Sequence, residues 1–425
     1  MAEQVETLIV GGGQAGIAMS EHLGKSGCEH LILERSRVVE SWRSARWDSL
    51  VANGPAWHDR FPGMEFKDIH PDAFATKSAV VSYFEDYVKM INSPVRCGVE
   101  VQKVTRAAGR AGFNVSTSHG EFKSNNIVAA TGAFQTPVIP PVVPAKRENL
   151  KQIHSCDYRN PEQLPDGAVL VVGAGSSGSQ IAEELMNAGR QVYLSVGPHD
   201  RPPRRYRDRD LVWWLGVLGI WDIDKPREDS DHVTIAVSGA NGGHTVDFRR
   251  FANNGMTLLG MTTGFEQGVL YFSDDLARNV TRGDENYLAL LDAADRFIAD
   301  NGLKLPEEPS ARDIPPVPAC MVDPLNSLHL SDNNVTCIIW ATGYAVDYNW
   351  LKVGALDAHG KPLHSRGISS APGVYFLGLP CQVNRGSSFI WGAWQDARII
   401  ADHIVKQKSY HSYCRQSYRF SEQTG

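Results

Sequence analysis

An α/β protein made of two doubly wound nucleotide-binding units, one interrupting the other, is predicted by three observations. The stretch "TLIVGGGQAGIAMSEHL" at residues 7–23 returns almost unchanged as "VLVVGAGSSGSQIAEEL" at residues 169–185. Each copy runs from an apolar strand through a glycine turn into an amphipathic helix, and each is followed by a further apolar strand. Two later runs, "NNIVAATGAF" (Asn125–Phe134) and "VTCIIWATGYAVD" (Val335–Asp347), both end an apolar strand in Ala-Thr-Gly.

In the first copy, Thr7–Val10 reads as a buried parallel strand, Gly11-x-Gly13-x-x-Gly16 as the turn and Ile17–Leu23 as the start of a helix. The first glycine makes the turn, the second admits a pyrophosphate against the backbone, and the third lets helix and strand pack closely. The helix N-terminus then holds the phosphates. The next strand, "HLILER", places Glu34 where a carboxylate accepts hydrogen bonds from the hydroxyls of an adenosine ribose. That combination reads as an FAD site in a Rossmann-like domain.

The second copy repeats the turn at Gly173, Gly175 and Gly178, but its following strand, "QVYLSV", ends near Ser195 with no carboxylate. Ser195 and the arginines Arg201, Arg204 and Arg205 of "GPHDRPPRRYR" suit a 2′-phosphate, which an acid would repel. The second site therefore reads as NADPH. Two such folds in one chain bring together a cofactor that supplies hydride and one that holds it.

The NADPH domain is expected as an insertion in the FAD domain: residues 1–160 and 331–425 form the FAD unit and 161–330 the NADPH unit, with an aromatic insertion near 205–265. The Ala-Thr-Gly runs, Ala130-Thr131-Gly132 and Ala341-Thr342-Gly343, mark the two crossings, the chain returning to the first unit from Val335. Proline-rich "QTPVIPPVVPAKRE" (Gln135–Glu148) reads as an extended linker. The insertion carries Trp213, Trp214 and Trp221, which suit packing within the domain, a substrate entrance or a partner surface. A final helix is expected from about Ser388 to Val405, with Ser387 or Ser388 as its N-cap. Trp391 and Trp394 fall at helical spacing within it and read as core.

Composition narrows the function. The chain has 425 residues, 42% hydrophobic and 21% charged, enough for two or three globular cores. A net charge of −6 gives no electrostatic reason for nucleic-acid or anionic-membrane binding. The most apolar stretch, Leu211–Trp221, is too short to span a bilayer. Seven dispersed cysteines, without CxxC or His/Cys clusters, suit reduced thiols in a cytosol, and no metal site is expected. A cytoplasmic enzyme is the expectation.

The order FAD turn, Ala-Thr-Gly, NADPH turn, Ala-Thr-Gly resembles the flavin-containing monooxygenases over roughly residues 5–405, with plant auxin-forming and Baeyer–Villiger monooxygenases as relatives of the same plan. "ESWR" (Glu40–Arg43) is similar to the family's Gly-Gly-x-Trp-Arg segment beside the flavin, with Glu40 and Ser41 in place of the glycines. "WDSLVAN" (Trp47–Asn53) is similar to the run that ends in an asparagine over the flavin, which implies that Asn53 is the catalytic residue, holding nicotinamide and oxygenated flavin in register. Half of the family fingerprint before the second turn is present in "ENLKQIHSCDYR": His154 and Tyr158 match, while Glu148 and Leu150 replace Phe and Gly. Tyr158 followed by Arg159 resembles the heteroatom-oxidising branch, and His154 suits a hinge.

Taken together, the cofactor-binding residues are expected to be Gly11, Gly13, Gln14, Ala15, Gly16, Glu34, Arg35, Trp42, Arg43, Val101, Ala130, Thr131, Gly132, Ser388 and Phe389 for FAD. Those for NADPH are Gly173, Gly175, Ser176, Ser177, Gly178, Ser195, Arg201, Arg204, Arg205, Ala341, Thr342 and Gly343. The resemblance implies a monooxygenase that reduces FAD with NADPH, forms a flavin C4a-hydroperoxide with O₂ and oxygenates a soft nitrogen or sulfur nucleophile. Water exclusion is its central task. Baeyer–Villiger oxygenation of a ketone and an NADPH-dependent flavin reductase or oxidase are the alternatives; a disulfide reductase would need a close cysteine pair. Trp57, His58, the 211–221 insertion and Phe389 are expected around a small apolar or aromatic substrate. The tryptophan-bearing insertion is also where a homodimer contact would be sought.

Overall fold

The computed structural model describes residues 2–108, 111–223 and 234–422. Strand β1 (Glu3–Val10), helix α1 (Gln14–Lys25) and strand β2 (His30–Glu34) form the first strand–turn–helix–strand unit. Helix α2 (Glu40–Ser44) and helix α3 (Lys77–Met90), the latter capped by Thr76, lead to β3 (Val95–Cys97). Strands β4 (Val101–Arg106), β5 (Phe113–Thr117) and β6 (Gly120–Ala129) follow as an antiparallel meander.

The first sheet takes shape around β1, which is parallel to β2 on one side and to β6 on the other. Leu8 and Ile9 point to opposite faces and both are fully buried, as a central strand covered on two sides requires. The ten-residue β6 serves two partners in succession. Its first half pairs with β5, and its last residues, Ile127–Ala129, pair in parallel with Val374–Phe376. That second pairing brings the C-terminal part of the chain beside the first glycine turn. The long helix Ile390–Glu422 then packs on α1. Buried Glu21 pins the two helices and α3, accepting from Trp394 Nε1 at 2.6 Å and Tyr87 Oη at 2.7 Å.

A short strand β7 (Thr136–Pro137) precedes the second sheet, which holds β8 (Lys151–His154), β9 (Ala168–Val172), helix α4 (Ser176–Asn187) and β10 (Val192–Ser195). Its order is Thr257–Leu259, β10, β9, Val335–Trp340, β8, with every pairing parallel. The mixed α/β class, with parallel sheets at its centre, is therefore as the sequence indicates.

Two boundaries differ from the sequence reading. Val335–Trp340 does not return to the first sheet; it lies between β9 and β8, and β8 itself precedes residue 161. The reason is local: Cys337, Ile338, Ile339 and Trp340 are all fully buried and fill an interior position that the second sheet otherwise lacks. The chain crosses back after Gly343, where Tyr344–Ala345 pairs antiparallel with β7. Both crossings are thus strapped into one two-stranded ribbon.

The final helix also departs from expectation, running from Ile390 to Glu422 rather than from Ser388 to Val405. Ser387 Oγ is spent on the loop before it, accepting from Val383 N at 2.9 Å and Asn384 N at 3.0 Å. Within the insertion, Leu211–Val217 is helical, capped by Asp210, and Trp214 is core, its Nε1 donating to Tyr206 O at 3.0 Å. The 26-residue helix Leu276–Asn301, which the sequence reading did not single out, backs this region.

Candidate functional site

The two glycine turns are built alike. Gly11 has φ +111° and Gly173 φ +106°, conformations that favour glycine. A Cβ on Gly11 would lie 2.5 Å from Ala130 O, and one on Gly173 would lie 2.5 Å from Ala341 O. Each Ala-Thr-Gly run therefore abuts its own glycine turn, which explains why the two motifs recur as a pair. The third glycines fit as tightly: a Cβ on Gly16 or Gly178 would strike the carbonyl of Gly11 or Gly173 at 2.0 and 1.8 Å. By contrast a Cβ on Gly13 would meet nothing within 4 Å.

That open side suits a pyrophosphate. Helices α1 and α4 start after Gly13 and Gly175 with no side-chain cap, so their first amides and positive ends face outward. Gln14 and Ala15 open α1; Gln14 Nε2 donates to Ser388 O at 3.0 Å and ties the turn to the C-terminal loop. Ser176 and Ser177 open α4, and Ser176 Oγ donates to Ile235 O at 2.7 Å. Glu34 closes β2 over the first turn, accepting from Gly12 N at 2.7 Å and Ser36 N at 2.8 Å. Arg35 beside it is exposed. Gln135 Nε2 donates to Thr131 Oγ1 and Gly132 O, and Thr342 Oγ1 donates to Val138 O, so both crossings are held by their own motif.

Three expected contacts, those of Ser195, Arg201 and Arg204, are corrected. Ser195 is buried, and its Oγ donates to Gly260 O at 2.9 Å while accepting from Thr262 N. It has no free face for a phosphate. Arg201 and Arg204 are each 1% exposed; Arg201 pairs with Asp284, and Arg204 with Asp210. Buried guanidinium groups need such partners, so these two act in the core of the second unit. Arg205 is exposed and its Nη2 reaches Asp72 O, well into the first unit's loop. Val101 is core, buried and paired with Thr117. Arg43 pairs with Glu85 on α3 and lines a cleft of about 550 Å³ with Arg37, Val38 and Cys97, while Trp42 packs between the first and second cores.

Asn53 lies where the two units meet. Its Oδ1 accepts from Gln180 Nε2 on α4 at 3.0 Å, and its carbonyl accepts from Arg204. Its Nδ2 makes no hydrogen bond among the described residues, so an amide donor remains available. The loop is set by Asp59, which accepts from Gly54 N at 2.9 Å and from His58 Nδ1 at 2.9 Å. His58 thereby stands among aromatic rings: Trp391 at 4.9 Å, Trp57 at 5.2 Å and Trp221 at 6.0 Å between centroids. Trp221 in turn meets Phe389 and Trp391, each at 5.3 Å. The residues expected around a substrate are brought together from three distant parts of the chain.

The fingerprint residues are structural. Buried His154 donates from Nε2 to Gly343 O at 3.0 Å, Tyr158 Oη donates to Glu184 at 2.7 Å, and Arg159 reaches Ser44 O. The sequence reading missed Gln180, Asp59 and Trp391 as site residues. Gln180 follows Gly178 by two positions, a spacing that points it out of the turn; the other two carried no signal before the fold was known.

Two nucleotide turns of this geometry in one chain define the class as a dinucleotide-binding oxidoreductase. The sequence profile of the pyridine nucleotide-disulphide oxidoreductase family matches residues 8–214. An uncharacterized CzcO-like oxidoreductase of Geobacillus kaustophilus is 31% identical over 408 residues, covering 95% of this chain and 99% of its own. A probable indole-3-pyruvate monooxygenase, YUCCA1 of Arabidopsis thaliana, is 30% identical over 192 residues, covering 44% of this chain and 46% of its own. Among solved structures, a double mutant of the flavin monooxygenase from Stenotrophomonas maltophilia superposes with TM-score 0.66 at 18% identity, covering 97% of this chain and 99% of that one. The chain belongs with the CzcO-like oxidoreductases, and it shares the fold of the flavin monooxygenase. It is an enzyme, an oxidoreductase whose neighbours imply flavin and nicotinamide cofactors, and none of its described helices is long and apolar enough to cross a membrane.

Proposed function

We propose that the protein is an FAD-containing, NADPH-consuming monooxygenase that transfers one oxygen atom of O₂ to a nitrogen or sulfur nucleophile of a small apolar or aromatic molecule. The observation that carries this reading is that Asn53, held by Gln180 two residues past Gly178, shares its loop with His58, whose ring meets Trp57, Trp221 and Trp391. When bound, FAD supplies the centre that takes electrons from the nicotinamide and delivers them to O₂.

The chain's own residues divide the remaining work. Gly11, Gly13 and Gly16 with the first amides of α1 hold the FAD pyrophosphate, and Glu34 holds the adenosine ribose. Gly173, Gly175 and Gly178 with the start of α4 hold the nicotinamide nucleotide. Its 2′-phosphate falls to Arg282 rather than to Arg201 or Arg204: Asn279 Nδ2 fastens the Leu276–Asn301 helix to Val196 O at the end of β10, and exposed Arg282 lies close enough to perturb His199 and Asp200. Asn53 is oriented by Gln180 and donates from Nδ2 to the reacting group, while Trp57, Trp221, Phe389 and Trp391 exclude water. Cys28, Cys97, Cys156, Cys320, Cys337 and Cys381 are free and dispersed, which favours oxygen transfer over disulfide reduction.

The test is to reduce the flavin-loaded protein with NADPH without oxygen, then mix it with O₂ and follow the return of the oxidised flavin band and the peroxide released. A delay before reoxidation, and peroxide suppressed by an amine or a sulfide that is oxygenated, is expected. Prompt reoxidation with one peroxide per NADPH, whatever amine or sulfide is present, overturns the proposal in favour of an oxidase. Oxygenation of ketones alone points to the Baeyer–Villiger reaction instead.

A further inference from the structure

A segment of the second unit lies between the second glycine turn and the Asn53 loop. Residues 235–247 run along α4 and are bonded to three of its side chains, Ser176, Gln180 and Glu183, which share one face of the helix by their spacing. Ser176 Oγ donates to Ile235 O at 2.7 Å and accepts from Val237 N at 3.4 Å. Gln180 Nε2 donates to Val237 O at 2.7 Å, and His244 Nε2 lies 3.0 Å from Glu183 Oε2. Ala236 and Val246 are buried in the core of the second unit and fix the segment near both ends.

The middle of the segment faces the first unit. A Cβ on Gly239 would lie 2.3 Å from Ala52 O, beside Asn53, and one on Gly243 would lie 2.5 Å from the Phe74 ring. Asn241, Gly242 and Gly243 have φ of 54°, 81° and 82°, left-handed conformations that turn the chain between these two contacts. Gln180 joins the segment to the site: the Nε2 that reaches Val237 O also donates to Asn53 Oδ1 at 3.0 Å, which uses both of its N–H bonds.

The two serines that open α4 divide the work. Ser176 holds the segment, whereas the Ser177 hydroxyl makes no hydrogen bond among the described residues and is free to meet a phosphate. A pyrophosphate on the first amides of α4 fixes the first helical turn, and Ser176 with it. Ile235 and Val237 are then held more firmly, and so is the carbonyl that Gln180 shares with Asn53. Ordering one element in this way lowers the cost of ordering the next.

We propose that residues 235–247 are a strap that tightens when a nicotinamide nucleotide occupies the second glycine turn, and that Gln180 passes the effect to Asn53. This rests on the nucleotide reading of that turn and adds its control over the amide at the reaction centre.

The experiment is hydrogen–deuterium exchange of the oxidised, flavin-loaded protein with and without NADP⁺, read by mass spectrometry in peptides covering 173–178, 235–247 and 50–56. In wild type NADP⁺ is expected to slow exchange in all three, by about tenfold in the strap, as one further hydrogen bond opposing local opening implies. Gln180→Met keeps the length of the side chain and removes both donors. The strap then still responds, through Ser176, while the response of 50–56 falls below about twofold. Gln180→Ala repeats the comparison with a shorter side chain, and flavin content reports that each variant is folded. Protection at 173–178 with no change in 235–247, or a response of 50–56 that survives both substitutions, overturns the proposal and leaves the nucleotide site standing. No protection at 173–178 under saturating NADP⁺ rejects the site itself, and the strap's role falls with it.

Discussion

Asp396 offers a prediction whose size follows from its surroundings. It lies in the second turn of the Ile390–Glu422 helix, 3% exposed, and its Oδ2 has no hydrogen-bond partner among the described residues. Burial pushes its carboxyl up to about 7, and neither the Ser387 hydroxyl nor the charge of Arg366 offsets that. Below about pH 4 the group is protonated folded or unfolded and contributes nothing. Between about pH 4 and pH 7 the folded state keeps a proton that the unfolded state has lost, so each pH unit costs the fold about 1.4 kcal/mol, and above pH 7 the cost is constant. Asp396→Asn keeps the shape and removes the titration. From pH 5 to pH 8, wild type should therefore lose about 3 kcal/mol relative to the variant. For a chain of this length that is about 3 °C in melting temperature. Paired thermal melts of the flavin-loaded proteins at the two pH values test it: the melting curves should diverge, with Asp396→Asn the more stable at pH 8. Curves that stay parallel, or a variant less stable at pH 8 than at pH 5 by the same margin as wild type, would refute the reasoning.

Other consequences can be checked directly. Gly173→Ala places a methyl 2.5 Å from Ala341 O at φ +106°, and the left-handed conformation alone costs about 1–2 kcal/mol, so nicotinamide-nucleotide binding measured by titration should be lost while flavin content is kept. Glu34→Ala removes the acceptor of Gly12 N and Ser36 N, and protein purified without added FAD should carry less flavin than wild type by absorbance. Arg282→Ala should raise KM for NADPH about tenfold and leave KM for NADH within about twofold, as loss of one phosphate contact implies. Glu21→Leu leaves the Trp394 indole unpaired and the Tyr87 hydroxyl with Pro62 O alone, and should lower stability in denaturant titration by about 1–3 kcal/mol.

Much of the fold was legible because glycine turns are local. Gly11 and Gly173 need a conformation and a close approach that few other residues tolerate, and that requirement is written into four or five adjacent positions. Strand membership was harder. Val335–Trp340 is equally apolar whichever sheet receives it, and its neighbour β8 is only four residues long, so periodicity could not tell the sheets apart. The basic loop misled for a related reason. Arg201 and Arg204 read as phosphate ligands because their partners, Asp284 and Asp210, sit on a helix and a turn that sequence proximity reveals only for the second. The aromatic shell was foreseen as composition, whereas the role of Trp391 within it depends on Gly386 passing over its ring.

The half-kept fingerprint around His154 now has a physical sense. His154 is buried, and burial pulls its imidazole below the usual histidine range, so it stays neutral near pH 7. One tautomer then satisfies both nitrogens: Nε2–H donates to Gly343 O, and Nδ1 accepts from Cys156 N at 3.2 Å. An imidazolium could not accept from Cys156, and a residue with a single polar end could not reach both. The side chain thus ties the end of β8 to the second crossing, through Gly343, beside the ribbon formed by β7 and Tyr344–Ala345. Because these crossings are where the chain passes between the glycine turns, a group that fixes them fixes how the nucleotide sites face each other. That task needs neutral His154 and Tyr158, which anchors on α4, but nothing in it calls on positions 148 and 150. Glu148 is exposed and Leu150 packs only at the margin of the second sheet, so both depart from the pattern without touching the contacts of His154 and Tyr158.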